Sequence, residues 1–215
     1  MTGDGLRIQG LRVERDGRVL LDVPALEAPA GRCTVLTGAT DSGKTMLAST
    51  LSGALDGTRG DVRLNGRLLD GPPSARLRAG LAAVPNAPLR LRGITVSEAL
   101  ALAAATTQDR TRRVAAIFDR FPLLAARRNL RAERLSGGEH QALRIACAWM
   151  PQPHALVLDS PTTGLAASVV DAVLALARDE AARGAAVLWL DQPGAPLPAP
   201  AALHLTGGRL SAAAE

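Results

Sequence analysis

At 215 residues the chain is one domain, or one domain carrying a subdomain, and is long enough to bury a substantial core. Although 47% of its residues are hydrophobic, no apolar run nears the length of about eighteen residues that crosses a bilayer. The start, Met1-Thr2-Gly3-Asp4-Gly5, carries no apolar signal segment, so a cytosolic protein is expected. The net charge of +5 comes with no basic run interleaved with aromatics, which argues against nucleic acid as a partner.

Residues 6–13 alternate apolar and polar and are followed, after an Asp16-Gly17 turn, by residues 18–23, a pattern that predicts an antiparallel pair. Residues 32–36 read as a short buried strand and residues 46–55 as a helix, with a glycine-rich stretch between them. Residues 61–64 and 67–69, about Asn65-Gly66, give a second hairpin, so a small antiparallel sheet precedes and follows that stretch. A strand at 81–84 ends at Pro85. Thr95-Val96-Ser97-Glu98 is a capping box that opens a helix to about Ala105, and a helix over 112–121 is stopped by Pro122. After Leu135-Ser136-Gly137-Gly138-Glu139 comes a helix from about His140 to Met150. Ala155-Leu156-Val157-Leu158-Asp159, apolar until its final carboxylate, has the composition of a strand buried on both faces. A helix over 168–183 stops at Gly184 and a core strand covers 185–190. Residues 193–202 form an extended connector, and residues 203–205 with 208–210 a closing hairpin. The result is an α/β fold with a small antiparallel β subdomain and a helical insert. Cys33 and Cys147 read as buried apolar residues, which suits a reducing compartment, and His140, His154 and His204 form no metal cluster.

The chemistry centres on Gly38-Ala39-Thr40-Asp41-Ser42-Gly43-Lys44-Thr45, a G-x-x-x-x-G-K-[ST] stretch between strand and helix. Backbone N–H groups and a helix N-terminus face an anion there; Lys44 reaches the β- and γ-phosphates of ATP and the Thr45 hydroxyl ligates Mg²⁺. Lys44 is the only lysine in the chain, at the one position where a compact ammonium is needed and a guanidinium is too bulky. Met46 follows directly. Asp41 is discordant: a carboxylate about 4 Å from a phosphate charge would cost roughly 4 kcal/mol at an effective dielectric of ~20, so its side chain is expected to point outward. Asp159, at the end of its strand, is placed as a second magnesium contact. Ser136 with Glu139 makes a capping box, but Gly137 and Gly138 are not needed for capping and cost about 1 kcal/mol each relative to Ala. A ligand approaching the backbone closely would explain them.

With these segments in hand, nearly the whole chain resembles the ATP-binding-cassette (ABC) ATPases. Gly38–Thr45 resembles Walker A, Leu135–Glu139 the signature motif and Ala155–Asp159 Walker B. The resemblance implies a P-loop NTPase core (residues 1–88 and 154–215) with a helical subdomain (89–153) in a single domain, binding ATP and Mg²⁺. It also implies a head-to-tail dimer with a second ABC ATPase, each ATP lying between the Walker motifs of one chain and the signature of the other. Residues 121–129, His140-Gln141, Gly164-Leu165-Ala166 and Asp191-Gln192 resemble, more narrowly, the second ATPase subunit of branched-chain amino acid importers. That likeness implies membrane permease subunits as partners and a peripheral location on the cytoplasmic face of the membrane.

Three positions depart from the family pattern. Ser160 stands where the family has its catalytic Glu; serine cannot accept the proton at neutral pH, and losing a general base costs about 10²–10⁴ in rate. Asn86 holds the Q-loop glutamine position, one methylene shorter, as a magnesium contact. Arg15 stands where an aromatic stacks on adenine; a guanidinium plane stacks there, or it is a surface arginine. Ala166 lacks the D-loop acid, as in the narrower subfamily. The chain is therefore expected to bind ATP, to hydrolyse it poorly, and to complete a partner's site with its signature. Other readings stand beside this one: a nucleotide-dependent regulatory module, an ATPase using Gln192 or Asp191 to orient water, and cargo such as urea, amides, peptides or haem. The Asn86–Arg92 loop is expected to meet a permease.

Overall fold

The computed structural model describes residues 4–55, 57–86, 91–105 and 107–212. The opening alternation becomes β1 (Leu6–Arg15), which turns through Asp16 and Gly17, both with positive φ, into β2 (Arg18–Ala28). β3 (Cys33–Thr37) feeds the glycine-rich loop and α1 (Lys44–Ser52); β4 (Thr58–Leu64) and β5 (Arg67–Leu68) form the second hairpin. Next come α2 (Pro73–Arg78), β6 (Leu81–Val84), α3 (Val96–Ala103), α4 (Arg110–Arg120), α5 (Pro122–Ala126) and α6 (Gly137–Trp149). β7 (Ala155–Asp159), α7 (Ala167–Ala182), β8 (Ala186–Asp191), β9 (Ala201–Thr206) and β10 (Arg209–Ala212) complete the order.

All ten strands join one sheet, in the order β5-β4-β1-β2-β10-β9-β3-β8-β7-β6. The antiparallel strands are thus continuous with the core: β9 runs parallel to β3, β10 returns antiparallel to β9, and Arg209 of β10 pairs with Asp22 of β2. Side chains alternate across the sheet and sort the interior into two layers. Leu156, Leu158, Val187 and Trp189 pack with α3, α6 and α7 on one face. Ala155, Val157, Leu188 and Leu190 face the other way, against Leu47 and Leu51 of α1 and the apolar side of β1 and β2. A strand covered on both faces favours apolar residues throughout, and β7 is apolar until Asp159.

Two helices lie outside the sequence pattern. α2 carries Arg76, whose Nη1 donates to the carbonyls of Thr50 (2.8 Å) and Leu51 (2.9 Å) and so satisfies orphan acceptors at the end of α1. Pro122 ends α4 as expected and also opens α5 at its first turn, where the missing N–H has no helical partner to lose. α1 and α6 begin earlier than read, at Lys44 and Gly137, because first-turn residues need no N–H partner within the helix. The 88/89 subdomain boundary, and residues 87–90 of the permease-facing loop, lie outside the described residues.

β3, β8, β7 and β6 are mutually parallel, so their carboxyl ends share one edge of the sheet. That edge gathers the Gly38–Thr45 loop, Asp191, Asp159 and Asn86, the place where ligands bind in open α/β sheets.

Candidate functional site

The loop after β3 wraps around an ammonium. Lys44 is 5% exposed, and its Nζ donates to the carbonyls of Gly38 (2.6 Å) and Ala39 (2.7 Å) and to Ser42 Oγ (3.3 Å). Burial lowers the amine's pKa, against the opposing pull of Asp159, Asp191 and Asp41. The wrap needs Gly38: a Cβ there would lie 2.5 Å from Ser42 Oγ and 2.6 Å from the Leu205 carbonyl. It also needs left-handed backbone at Gly43 (φ 108) and Asp41 (φ 63). Aspartate is among the few side chains that tolerate that region, which gives Asp41 a backbone reason to be there. The residue is exposed, and it borders the cleft over the loop.

A cleft of about 380 Å³ opens over this loop, lined among others by Thr40, Asp41, Lys44, Thr45, Asn86, Ser160 and Gln192. Met46 belongs to the same lining; Arg15 sits exposed at the end of β1, outside it. Asp159 is wholly buried below: its Oδ2 accepts from the Asn86 N–H (3.0 Å) and its Oδ1 from Ser160 Oγ (3.2 Å). Ser160 has φ 49, and its N–H donates to the Leu190 carbonyl (2.7 Å). The serine hydroxyl is therefore a donor to the neighbouring carboxylate and not a base. Asp191, also wholly buried, accepts from the Gln192 N–H (2.8 Å) and from Thr162 Oγ1 (3.1 Å). Burial raises its pKa, opposed by those bonds and by Lys44. Thr45 and Asn86 line the cleft and Asp159 lies buried next to it; their side-chain oxygens are of the hard kind that fits magnesium.

The second predicted segment forms the start of α6. Ser136 is its N-cap: Ser136 Oγ accepts from the Glu139 N–H (3.3 Å) and Glu139 Oε2 from the Ser136 N–H (2.8 Å). Arg127 Nε donates to the other Glu139 oxygen at 2.9 Å. The Ser136 N–H, and then Arg127, hold the Glu139 carboxyl below its ordinary pKa. Leu135 is half-buried, and the two glycines differ. A Cβ on Gly138 would stand 2.8 Å from the Gly164 carbonyl, whereas one on Gly137 would meet nothing within 4 Å. Gly138 is thus explained by packing and Gly137 is not. We predict that Gly138→Ala lowers the stability of the chain by about 1–3 kcal/mol, the overpacking range. Gly137→Ala should instead raise it by up to about 1 kcal/mol in denaturant unfolding, while still impairing any ligand contact made by that backbone.

A further cleft of about 520 Å³ lies between α6 and the first, lined by Leu135, Gly137, His140, Gln141 and Arg144, and it shares Asn86, Ser160 and Thr163 with the first. Arg144, Thr162 and Thr163 were not among the expected site residues. Arg144 carried one signal, a lone charge in the apolar run Ala142-Leu143-Arg144-Ile145-Ala146.

The family model described as "ABC transporter" matches residues 21–163. Over 171 residues the chain is 32% identical to BraG, a high-affinity branched-chain amino acid transport ATP-binding protein of Pseudomonas aeruginosa, covering 78% of this chain and 73% of that protein. It is 34% identical over 168 residues to LivF, a probable branched-chain amino acid transport ATP-binding protein of Archaeoglobus fulgidus, covering 75% and 71%. In fold it is similar to the ATP-binding subunit of an ABC transporter, with a TM-score of 0.84 at 24% identity over 96% of this chain and 89% of that one.

Proposed function

The chain belongs to the ABC transporter family as an ATP-binding subunit, and on that premise we propose that it serves an importer of branched-chain amino acid type as the partner that binds ATP without turning it over. The observation that carries this reading is Ser160: at the base position beside Asp159 stands a hydroxyl that donates to that carboxylate. Meanwhile the Ser136 cap and the open approach to Gly137 leave the Leu135–Glu139 segment whole. ATP bound over Lys44 closes a dimer, and this segment completes the competent site of a second ABC ATPase, with Ser136 and the α6 N-terminus holding a γ-phosphate.

Thr45, Asp159 and Asn86 would hold the magnesium ion, which neutralises charge on the β- and γ-phosphates. Lys44 contributes the matching positive charge from the other side of the loop. Among the described residues no helix is long and apolar enough to cross a membrane, so in this reading the membrane part comes from permease subunits. A groove of about 420 Å³ between α2, β6 and α6, lined by Pro73, Leu77, Ala103, Cys147 and Ala148, is a mostly apolar seat for a permease segment on the cytoplasmic side.

The test is purification of the complex from cells, followed by ATPase assays with each subunit's loop lysine mutated in turn. Mutating the partner's lysine should abolish turnover; mutating Lys44 should weaken nucleotide binding in this chain, so that the partner site's turnover falls at low ATP and recovers towards the wild-type rate as ATP is raised. Turnover by this chain alone, or a complex without a permease, overturns the proposal.

A further inference from the structure

Among the described residues Arg144 alone is shared by the linings of the apolar groove and of the polar cleft beside Ser160, so its side chain is a wall between the two. It is 9% exposed on α6, one turn beyond Gln141. Its fork has two ends. Nη1 donates to Gln141 Oε1 at 2.9 Å, within its own helix, and Nη2 donates to the carbonyl of Pro85, on the segment leaving β6. The next residue, Asn86, gives its N–H to Asp159 Oδ2. A continuous line therefore runs from α6 through Arg144, Pro85 and Asn86 to the carboxylate that faces the phosphate loop.

Asp159 is one end of that line, and a metal–nucleotide complex competes for the same carboxylate. Asp159 Oδ2 already accepts from the Asn86 N–H, so a cation drawn to this carboxylate would compete with that bond, and the rigid peptide joins Asn86 to the Pro85 carbonyl. A planar guanidinium bonded at two points transmits it as a change in direction, which a flexible ammonium on a single contact does not. Burial lowers the Arg144 pKa while Asp159 opposes that shift, which sets the two groups in one electrostatic environment.

We infer that Arg144 is a positioning residue through which metal–ATP bound in this chain's own cleft sets helix α6, and with it both the Ser136–Gly138 segment and the groove. The inference rests on the nucleotide-binding reading above. It deepens that reading by assigning the silent site a regulatory output: the state of Asp159 is reported to the end of α6 that a second ATPase would use.

Amide hydrogen exchange on the purified chain, with and without ATP and Mg²⁺, tests it. In the wild type, nucleotide should slow exchange in the 38–45 loop and also in residues 137–149, by about fivefold or more, the lower range of measured coupling between sites. Arg144→Met should keep the loop response and lose the α6 response. Arg144→Lys, which retains charge and stem but not the fork, should do the same and covers the case in which the methionine variant does not fold. An α6 response that persists in a folded variant overturns the inference, as does a wild type in which the loop responds and α6 does not. A wild type with no response in the loop overturns the nucleotide reading itself and the inference with it.

Discussion

Lys44→Ala is expected to weaken ATP–Mg²⁺ binding by about a hundredfold or more, read by calorimetry on the purified chain. Truncating one partner of a buried, hydrogen-bonded charge contact costs about 2–5 kcal/mol, and every 1.4 kcal/mol is tenfold. Here no other group can substitute, since the chain has no second lysine. The nearby arginines of the loop region, Arg15 and Arg32, are both exposed. The ammonium's present partners, Gly38 O, Ala39 O and Ser42 Oγ, belong to the loop itself, so an arriving phosphate exchanges one set of acceptors for a stronger, charged one. Removing Lys44 also takes away a positive charge that acts on Asp159 and Asp191, so the variant's melting temperature is measured alongside. Lys44→Arg separates charge from shape: it keeps the cation and should still bind ATP poorly, because a planar fork does not fit the place where Nζ now sits among Gly38 O, Ala39 O and Ser42 Oγ. Binding within threefold of wild type in a folded Lys44→Ala protein would remove the loop from the site.

The parts of this arrangement that the sequence makes legible are those encoded locally. β7 is an apolar run with a terminal acid because both faces of the strand are covered, which favours apolar side chains on each. The Thr95–Glu98 and Ser136–Glu139 boxes are four-residue devices, and both form in the structure. What stays hidden depends on a partner far along the chain. Arg76 looks like a surface arginine until Thr50 and Leu51 stand beside it. Gly138 is required by the carbonyl of Gly164, and its twin Gly137 by nothing in the chain, a distinction that no spacing contains. Asp41 is a blemish by charge and a good choice by backbone, since only its φ of 63 shows why an Asp stands there. Arg144 is hidden for the same reason as Arg76: a charge among apolar helix residues has meaning only once the Pro85 carbonyl lies across from it.

Ser160→Glu should restore hydrolysis to this chain's own site, by about 10²–10⁴ over the wild type, the contribution of a positioned general base. The measurement is phosphate release by the assembled complex in which the partner's loop lysine is mutated, so that only this site can turn over. The backbone already tolerates the change: residue 160 holds φ 49 as a serine, and the left-handed cost is carried by any residue with a Cβ. The side chain also has a place to go, because Ser160 lines both clefts. A glutamate beside Asp159 meets a like charge that raises its pKa, which makes it a better base near neutral pH, while Lys44 pulls the other way. Asn86 limits the gain, since its amide reaches one methylene less far into the cleft than a glutamine; Ser160→Glu combined with Asn86→Gln should exceed the single variant. Unchanged phosphate release from a complex that still binds ATP would mean that the missing base is not what silences the site. The block would then lie in how the partner's own serine–glycine segment meets this nucleotide.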